Sequence, residues 1–495
     1  MRRYLDISEL NLNKNNLAKK SLHSGIQSLL GQILSFIIMM GSTAVLARLL
    51  EPSDYGLVAI VIAITTFFTL FKDFGLSISL IQKEEITNEE IDVIFWFVVF
   101  IGIILTLVVI LISFFVGSFF QDNRLVDITR VASGIFIIGS FSIIPNAILR
   151  RNMQFKKLMY IQVLASFLSA LSAIYFANLG FGYWALVLNM ILPVLLTTIF
   201  TLYSLRWFPK FSYSLLGIQK FIKLGKYILL FDIVNYFSRN LDNLLIAKVY
   251  SPTNLGFYSK AYQLLLLPIQ QIRIPLVNVA LPALSTVKND PKLFSYYYLA
   301  LSDLLNILVI PVICLMWLNA NEIIYIILGE KWLYSAEIFK LLAFAALVQP
   351  ILGTFGVILI SLGKNKKYLY WGILNFTIIV SSFGIGVNYT LIIFIYIYIL
   401  GNYLSFIISI PYILKDSPIK IMDFLKTFFI PISYFLPITY VINLFYGNDS
   451  ALNLEAFSLK TLFFGISIFI FFMLFPKYKI KLFNLKQTFK QKEIR

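Results

Sequence analysis

Long apolar runs, each followed by a short polar connector, recur along the whole chain. Fourteen of these runs are long enough to cross a bilayer, for which a helix needs about 20 predominantly apolar residues. They cover approximately residues 26–49, 55–71, 91–116, 128–149, 158–177, 183–205, 221–249, 255–276, 296–318, 336–362, 368–387, 391–414, 424–445 and 457–475. The pattern predicts an all-α integral membrane protein with about 14 transmembrane helices, and the connectors leave no room for a separate soluble domain.

The composition supports a membrane protein and excludes several other classes. Of the 495 residues, 59% are hydrophobic and 13% are charged, and the mean hydropathy is +0.84, whereas soluble domains carry about 25% charged residues. The chain has one cysteine and one histidine, which excludes a disulfide framework and a zinc centre built from Cys and His clusters. We predict no metal site and no cofactor, and the sequence leaves coupling to a Na⁺ or H⁺ gradient open.

Basic residues are concentrated in alternate connectors. The chain carries 41 Lys and Arg residues against 24 Asp and Glu residues, which gives a net charge of +17. Most of the basic residues fall in segments that share one side of the membrane if the first helix starts inside, among them Arg150, Arg151, Lys156 and Lys157. Because Lys and Arg accumulate in cytoplasmic loops, this distribution predicts a multi-pass protein with both termini in the cytoplasm.

Two stretches of the chain repeat each other at an offset of 200 residues. Residues 45–58 read VLARLLEPSDYGLV and residues 245–258 read LIAKVYSPTNLGFY, so that Ala, Pro and Gly recur in register. A second similarity places Lys366 and Lys367 at the position in the second half that Lys156 and Lys157 occupy in the first half. The alternative is chance similarity between helix starts, where Pro, Ser, Thr, Asp and Asn are common. Two similarities at corresponding turns favour a duplication. A duplication of this kind predicts two parallel six-helix lobes around a central cavity, with two further helices at the C-terminus.

The duplication divides the chain into six predicted segments. They are a cytoplasmic N-terminal segment (1–24), an N-lobe (25–206), a cytoplasmic linker (207–220), a C-lobe (221–415), two further helices (416–476) and a basic cytoplasmic tail (477–495). Two parallel lobes of this kind are expected to rock against each other in alternating access.

Arg239 is the most informative charged residue, because it lies within the seventh predicted span. A charge near the bilayer centre costs about 2.5–3.5 kcal/mol on insertion scales, so such a residue normally faces a cavity or a partner. Asp242 follows three residues later and falls on the same helix face, while Asp232 lies seven residues before. Two interpretations remain open: a self-neutralising structural pair, or an anion-binding arginine in a cavity wall held by Asp242.

Four further residues within spans are candidates for function. Lys260 lies one turn into the eighth span, where it either lines a cavity or extends towards the membrane surface. Asp303 is a carboxylate within the ninth span that either titrates in ion coupling or hydrogen-bonds to polar neighbours. Pro268 and Pro275 interrupt the eighth span, and because proline removes a backbone hydrogen bond we predict that they form a hinge.

Five segments together resemble one family of bacterial transporters. They are RLLEPSDYG from Arg48, DFGLSISLIQ from Asp73, PNAILRRNMQF from Pro145, GFGYWALV from Gly180 and SRNLDNLLIA from Ser238. These segments resemble polysaccharide exporters of the multidrug/oligosaccharidyl-lipid/polysaccharide superfamily, in the Wzx/WzxC-like branch. The resemblance covers about the first 400 residues, and it implies fourteen helices with duplicated six-helix lobes.

The resemblance also implies a function and a site. Members of this branch move an undecaprenyl-pyrophosphate-linked oligosaccharide repeat unit from the inner to the outer leaflet of the bacterial cytoplasmic membrane, for O-antigen, capsule or exopolysaccharide assembly. Related lipid II flippases bind the pyrophosphate with cavity arginines. Arg239 best matches that role, followed by Lys260 and Arg48, and the pathway's polymerase and glycosyltransferases are the implied partners.

Two other function classes compete with this interpretation. A cation-coupled multidrug antiporter of the same superfamily would have twelve helices and acidic cavity residues. A membrane enzyme of polysaccharide assembly would need a sizeable outer loop with acid/base residues, whereas the longest outer connector here covers about residues 319–335. Neither nucleic acid binding nor catalysis is predicted.

Overall fold

A computed structural model describes residues 17–72, 76–82, 86–205, 207, 209–210, 233–234, 236–237, 239–446 and 454–476. The first half of this described part consists of eight helices. They are α1 (Leu17–Leu49), α2 (Pro52–Thr69), the short α3 (Leu76–Gln82), α4 (Asn88–Phe120), α5 (Arg124–Arg151), α6 (Phe155–Asn178), α7 (Tyr183–Leu205) and α8 (239–249).

The second half of the described part is also helical. It contains α9 (Pro252–Thr286), α10 (Pro291–Leu318), α11 (Ala320–Leu328), α12 (Leu333–Ser361), α13 (Asn365–Gly386), α14 (Leu391–Leu414), α15 (Ile421–Tyr446) and α16 (Leu454–Leu474). Among the described residues we find no β-strand.

Thirteen helices of the described residues are long and apolar enough to cross a membrane. They coincide with thirteen of the fourteen predicted spans. The remaining predicted span, 221–249, lies largely outside the described residues, and its last part is the helical stretch α8. The all-α, multi-pass membrane architecture is therefore confirmed.

Local sequence explains where several helices begin. Thr87 and Glu90 form a capping box at the start of α4, in which each side chain accepts a hydrogen bond from the other residue's backbone N–H. The Asp290 side chain accepts hydrogen bonds from the backbone N–H groups of the first turn of α10. Pro52 and Pro252 each occupy the first position of a helix, where the missing N–H costs nothing.

Backbone contacts divide the chain into two compact units, Met1–Gly256 and Phe257–Arg495. In the first unit, α1 packs along α6, α4 along α5, and α7 against both α5 and α6. Its core includes Phe95 of α4, whose ring meets that of Trp207 edge to face. Trp96 donates a hydrogen bond to the carbonyl oxygen of Lys210 at 2.9 Å, so the chain after α7 returns to α4.

In the second unit, α10 is the central helix. It packs against α12 and α15, while α13 pairs with α14 and α15 pairs with α16. Phe355 of α12, Phe406 of α14 and Phe424 of α15 bring their rings together in the core. The last two helices, which have no counterpart in the sequence repeat, are thus packed into this unit. The six predicted segment boundaries stay a prediction, since the linker 207–220 lies mostly outside the described residues.

The predicted outer connector at 319–335 is more structured than the sequence suggested. It folds into the short helix α11 and a 3₁₀ turn, Glu330–Trp332, and Trp332 is fully buried with its ring against Phe257. Nine residues are too few to cross a membrane, which explains why a search for long apolar runs leaves α11 out. At the N-terminus, residues 17–24 of the predicted cytoplasmic segment belong to α1.

A buried ion pair joins α11 to the last helix. Lys460 of α16 donates a hydrogen bond through Nζ to Glu322 Oε1 at 2.9 Å, and the two side chains are 8% and 9% exposed. A charge buried in a protein is normally paired in this way, because an unpaired one would lose its hydration without compensation. The pair fixes the position of α16 relative to α11.

Candidate functional site

Arg239 and Asp242 lie on the same helical stretch but in different surroundings. The Arg239 side chain is exposed at the protein surface, whereas Asp242 is 2% exposed and its Oδ1 accepts a hydrogen bond from the backbone N–H of Asn243 at 2.8 Å. The guanidinium is therefore accessible rather than buried, and its binding role stays a prediction. Asp232 lies outside the described residues.

The helical stretch with Arg239 is anchored to α2. Tyr236 is buried and donates a hydrogen bond through its hydroxyl to the carbonyl oxygen of Ala63. The rings of Tyr236 and Phe237 each lie about 5.5 Å from that of Phe67, within the range of aromatic pairing. These contacts hold the backbone next to Arg239 in place.

Lys260 lies in the first third of α9, where its Nζ donates a hydrogen bond to Gln263 Oε1 at 3.0 Å. Its side chain is half-buried rather than extended into the surroundings. The same helix contains Pro268 and Pro275, with a third proline at position 282. The hinge role of Pro268 and Pro275 stays a prediction.

A neutral polar network lies within the spans of the second unit, and our sequence reasoning missed it. The Tyr262 hydroxyl lies 3.3 Å from Gln349 Oε1 and 3.1 Å from the Tyr398 hydroxyl. Gln349 Nε2 donates to the Tyr398 hydroxyl at 2.8 Å and to Asn402 Oδ1 at 3.2 Å. Three helices, α9, α12 and α14, are joined by these bonds. Polar residues in the middle of apolar runs were the available signal, and Gln349 precedes the interruption at Pro350.

Two basic side chains lie against glycines of a neighbouring helix. Lys72 Nζ donates to the carbonyl oxygen of Ile135 at 3.4 Å and lies so close to Gly139 of α5 that an added Cβ would come within 2.2 Å of it. In the second unit, Arg273 Nη1 lies in the same way against Gly353 of α12, at 2.3 Å from a Cβ added there. The two basic residues, Lys72 and Arg273, are separated by about the same 200 residues as the two repeated turns. These glycine contacts were not predicted from the sequence.

Asp303 belongs to a buried polar side of α10. It is 5% exposed. Nearby, Asn306 Nδ2 donates to the carbonyl oxygen of Thr427 at 3.0 Å, and the Tyr298 hydroxyl lies 2.9 Å from Thr354 Oγ1. α10 therefore carries polar groups, Asp303 among them, into the core of the second unit, and the two roles predicted for Asp303 stay predictions.

Arg48 and its repeat partner Lys248 lie at helix ends rather than within the spans. Arg48 is exposed in the last turn of α1. Lys248 is exposed near the end of α8, where its ammonium group lies 4.8 Å from the centre of the Phe119 ring and donates to the carbonyl oxygen of Phe119. The contact of Lys248 is a cation–π interaction within the first unit.

Two ion pairs each join a carboxylate in a connector to a basic residue in the first turn of a helix. Arg124 donates hydrogen bonds to both carboxylate oxygens of Asp122, which holds the pKa of that carboxyl below its ordinary value. Lys367 forms an ion pair with Asp416 and lowers the pKa of the Asp416 carboxyl in the same way. Across the described residues, no group of three His, Cys, Asp or Glu side chains is placed to hold a metal ion.

The helix arrangement matches that of solved membrane transporters. It superimposes on the lipid II flippase MurJ in an inward closed conformation with a TM-score of 0.72, covering 92% of this chain and 99% of MurJ at 17% identity. An inward-facing multidrug resistance MATE family transporter of the MOP superfamily gives a TM-score of 0.61, covering 79% of this chain and 96% of the transporter at 16% identity. These likenesses establish the fold: the chain is a multi-pass membrane protein whose helices are arranged as in those two transporters.

The sequence comparison defines the family within that class. Residues 45–337 match the family described as polysaccharide biosynthesis protein, and since this is more than half of the chain, the chain belongs to that family. It is 24% identical to the teichuronic acid biosynthesis protein TuaB of Bacillus subtilis (strain 168), over 68% of this chain and 70% of TuaB. It is 22% identical to the lipopolysaccharide biosynthesis protein WzxC of Escherichia coli (strain K12), over 81% of this chain and 83% of WzxC.

Proposed function

We propose that this chain moves an undecaprenyl-pyrophosphate-linked oligosaccharide repeat unit from the inner to the outer leaflet of the bacterial cytoplasmic membrane by alternating access. The observation that carries the proposal is the family match over residues 45–337. The names of the relatives support it, since TuaB and WzxC are proteins of teichuronic acid and lipopolysaccharide biosynthesis. The product would be a surface polysaccharide such as O-antigen, capsule or exopolysaccharide.

The physical chemistry of the task fits the basic residues within the spans. A pyrophosphate with several sugars does not cross hydrocarbon unaided, because burying unpaired charge and unbonded hydroxyls is prohibitive. The Arg239 side chain is exposed, and Lys260, Lys72 and Arg273 place further positive charge within or at the ends of the spans. Moving negative charge outward also gains about 2.3 kcal/mol per charge for each 100 mV of inside-negative potential.

We assign residue roles within this proposal as follows. Arg239 binds the pyrophosphate, since a guanidinium presents two parallel donors to phosphate oxygens. Lys260 and Arg48 assist it, and Pro268 and Pro275 let α9 bend during transport. Coupling to a Na⁺ or H⁺ gradient, if the transporter uses one, would involve the buried carboxylates Asp242 or Asp303.

The proposal includes location and partners. The protein would lie in the bacterial inner membrane with both termini in the cytoplasm, as its distribution of Lys and Arg predicts. It would act between the glycosyltransferases that build the repeat unit and the polymerase that extends it, and it would carry out no covalent chemistry itself.

Deletion of the gene tests the proposed function. We expect lipid-linked repeat units to accumulate on the inner leaflet and the surface polysaccharide to disappear, and reintroduction of the wild-type gene to reverse both effects. Normal surface polysaccharide in a deletion strain that has no second exporter would contradict the proposal. The competing drug antiporter would instead give increased drug sensitivity with normal surface polysaccharide.

A further inference from the structure

An apolar pocket of about 370 Å³ lies between α10, α12 and α15 in the second unit. Its base is formed by buried residues, among them Cys314 of α10, Ala343 of α12 and Thr439 of α15, which are each 2% exposed. Its mouth is formed by exposed aromatic residues, Phe344 at 38% and Tyr440 at 61% exposure. The pocket thus reaches buried residues and opens at the surface of the protein.

The walls of the pocket offer little to a water molecule. Ile313, Leu347 and Leu436 are apolar, and the Thr439 hydroxyl already donates to the carbonyl oxygen of Phe435 at 2.7 Å. A buried water normally needs two to four polar partners, and apolar cavities of this kind stay dry and accept hydrocarbon instead. The shape and chemistry of the pocket therefore suit an apolar occupant.

The occupant would come from the bilayer, because all three helices are membrane-spanning. The pocket lies beside the end of α10, where Trp317 precedes the last residue of the helix and its ring centre lies 6.3 Å from that of Phe344. Trp and Tyr are enriched where the hydrocarbon of the bilayer meets the headgroups, and Trp317 and Tyr440 both line the pocket. Pro437 lies in the pocket wall, and a proline inside a helix displaces the preceding turn, so a wedge-shaped gap at this point of α15 follows from the sequence.

A basic residue lies one helical turn from the mouth. Lys340 precedes Ala343 by three residues and Phe344 by four, which places it on the same face of α12. It interacts electrostatically with Glu322, Lys460 and Glu337. Glu322 and Lys460 neutralise each other, which leaves Lys340 and Glu337 as a further pair of opposite charges beside the pocket, with Lys340 the member nearer to its mouth along α12.

We propose that this pocket binds one acyl chain of a bilayer phospholipid, with the phospholipid's phosphate beside Lys340. Phospholipids are the bulk component of the bilayer around the mouth, so mass action favours their chains over those of scarcer lipids. The bound chain fills the gap between α15 and the pair α10 and α12. This site is separate from the proposed transport function and does not depend on it.

Photo-crosslinking in lipid nanodiscs tests the proposal. The full chain is reconstituted with a phospholipid that carries a diazirine in its acyl chain, irradiated, digested and mapped by mass spectrometry. We expect adducts enriched at 313–317 and 436–440 relative to other lipid-facing segments, such as the exposed face of α4. Ala343→Trp fills the base of the pocket and should lose these adducts, whereas Leu404→Trp, on the exposed face of α14, should retain them.

Additional variants keep the test decisive. If Ala343→Trp does not fold, Leu436→Trp fills the same pocket from α15. Lys340→Gln should weaken the labelling, and Lys340→Arg should preserve it. Labelling that is no stronger at the pocket than elsewhere, or that persists in a folded pocket-filling variant, would overturn the proposal. So would loss of the adducts on adding equimolar undecaprenyl phosphate, because the pocket would then belong to a polyprenyl chain.

Discussion

Gly56 lies directly against the backbone of Pro252, and Gly256 lies in the same way against Pro52. A Cβ added to Gly56 would come within 1.7 Å of the Pro252 carbonyl oxygen, and one added to Gly256 within 1.9 Å of the Pro52 carbonyl oxygen. These four residues form two of the pairs that recur at an offset of 200 in the sequence. The reciprocal contact is what a two-fold relation between the repeated turns produces.

Substitution of Gly56 by alanine should therefore be destabilising. Because the obstructing atom is a backbone oxygen, one of the two turns must shift, and overpacking of this kind typically costs about 1–3 kcal/mol. The measurement is the thermal unfolding temperature of the purified protein in detergent. Gly41→Ala is the matched control, since no atom lies within 4 Å of a Cβ added there. An unchanged melting temperature for Gly56→Ala would show that the turns separate easily.

Removal of one partner of the buried ion pair should cost more than removal of both. Glu322→Gln or Lys460→Met leaves the other charge buried without compensation, at an expected cost of about 3–5 kcal/mol. The double variant Glu322→Gln with Lys460→Met should regain much of the lost stability. Thermal unfolding of the four proteins forms a double-mutant cycle. Equal and additive losses in the two single variants would contradict a close interaction.

The hydrogen-bond network around Gln349 should stabilise the second unit. Gln349→Leu leaves the buried Tyr398 hydroxyl and Asn402 amide with fewer partners, at an expected cost of about 1–3 kcal/mol. Tyr398→Phe in the Gln349→Leu background should cost less than it does in the wild-type protein, because the shared bond is already lost. The same additional loss in both backgrounds would argue against the network.

Arg239→Ala should abolish export while the protein still inserts in the membrane. The expectation rests on the exposed guanidinium, whose loss removes a phosphate ligand but little packing. Surface polysaccharide is measured in the deletion strain carrying each variant, together with the amount of protein in the membrane fraction. Lys288→Ala, an exposed basic residue in the turn after α9, should export normally. Full export by Arg239→Ala would remove this residue from the proposed site.

The Asp122–Arg124 pair should add a small, pH-dependent stability. The hydrogen bonds from Arg124 lower the pKa of Asp122 in the folded protein. The contribution is therefore complete above the ordinary pKa of aspartate and is lost as the pH falls through the lowered value. Since the pair is partly exposed, its value is about 1 kcal/mol or less. Asp122→Asn should lower the melting temperature slightly at pH 7, and the difference from wild type should shrink under strongly acidic conditions.

The sequence predicted the spans well because hydrocarbon imposes a strict length and polarity on any helix that crosses it. The matches at 183–205 and 391–414 extend to the terminal residues of α7 and α14. The repeat was equally easy to recognise from the sequence, since it depends only on the order of residues in two turns. What the sequence could not supply were partners at long range, such as the contact between Glu322 and Lys460, which lie 138 residues apart.

The surroundings of the candidate residues were harder to predict from the sequence than the spans were. Arg239 and Asp242 share a helix face by spacing, but spacing does not say that one is exposed and the other 2% exposed. Lys72 and Arg273 looked like ordinary basic residues near span ends until the glycines beside them were placed. Side-chain surroundings depend on which helices become neighbours, and one sequence carries little information about that.

The ion pair of α16 has a consequence for shortened forms of the protein. A chain cut after α14 would still contain all twelve helices of the duplicated part, yet Glu322 would be left buried without the ammonium group that it binds. Such a truncation should misfold or be degraded, although it removes no residue of the repeat. The last two helices, although they lie outside the repeat, would then be required for the biogenesis of the repeated part.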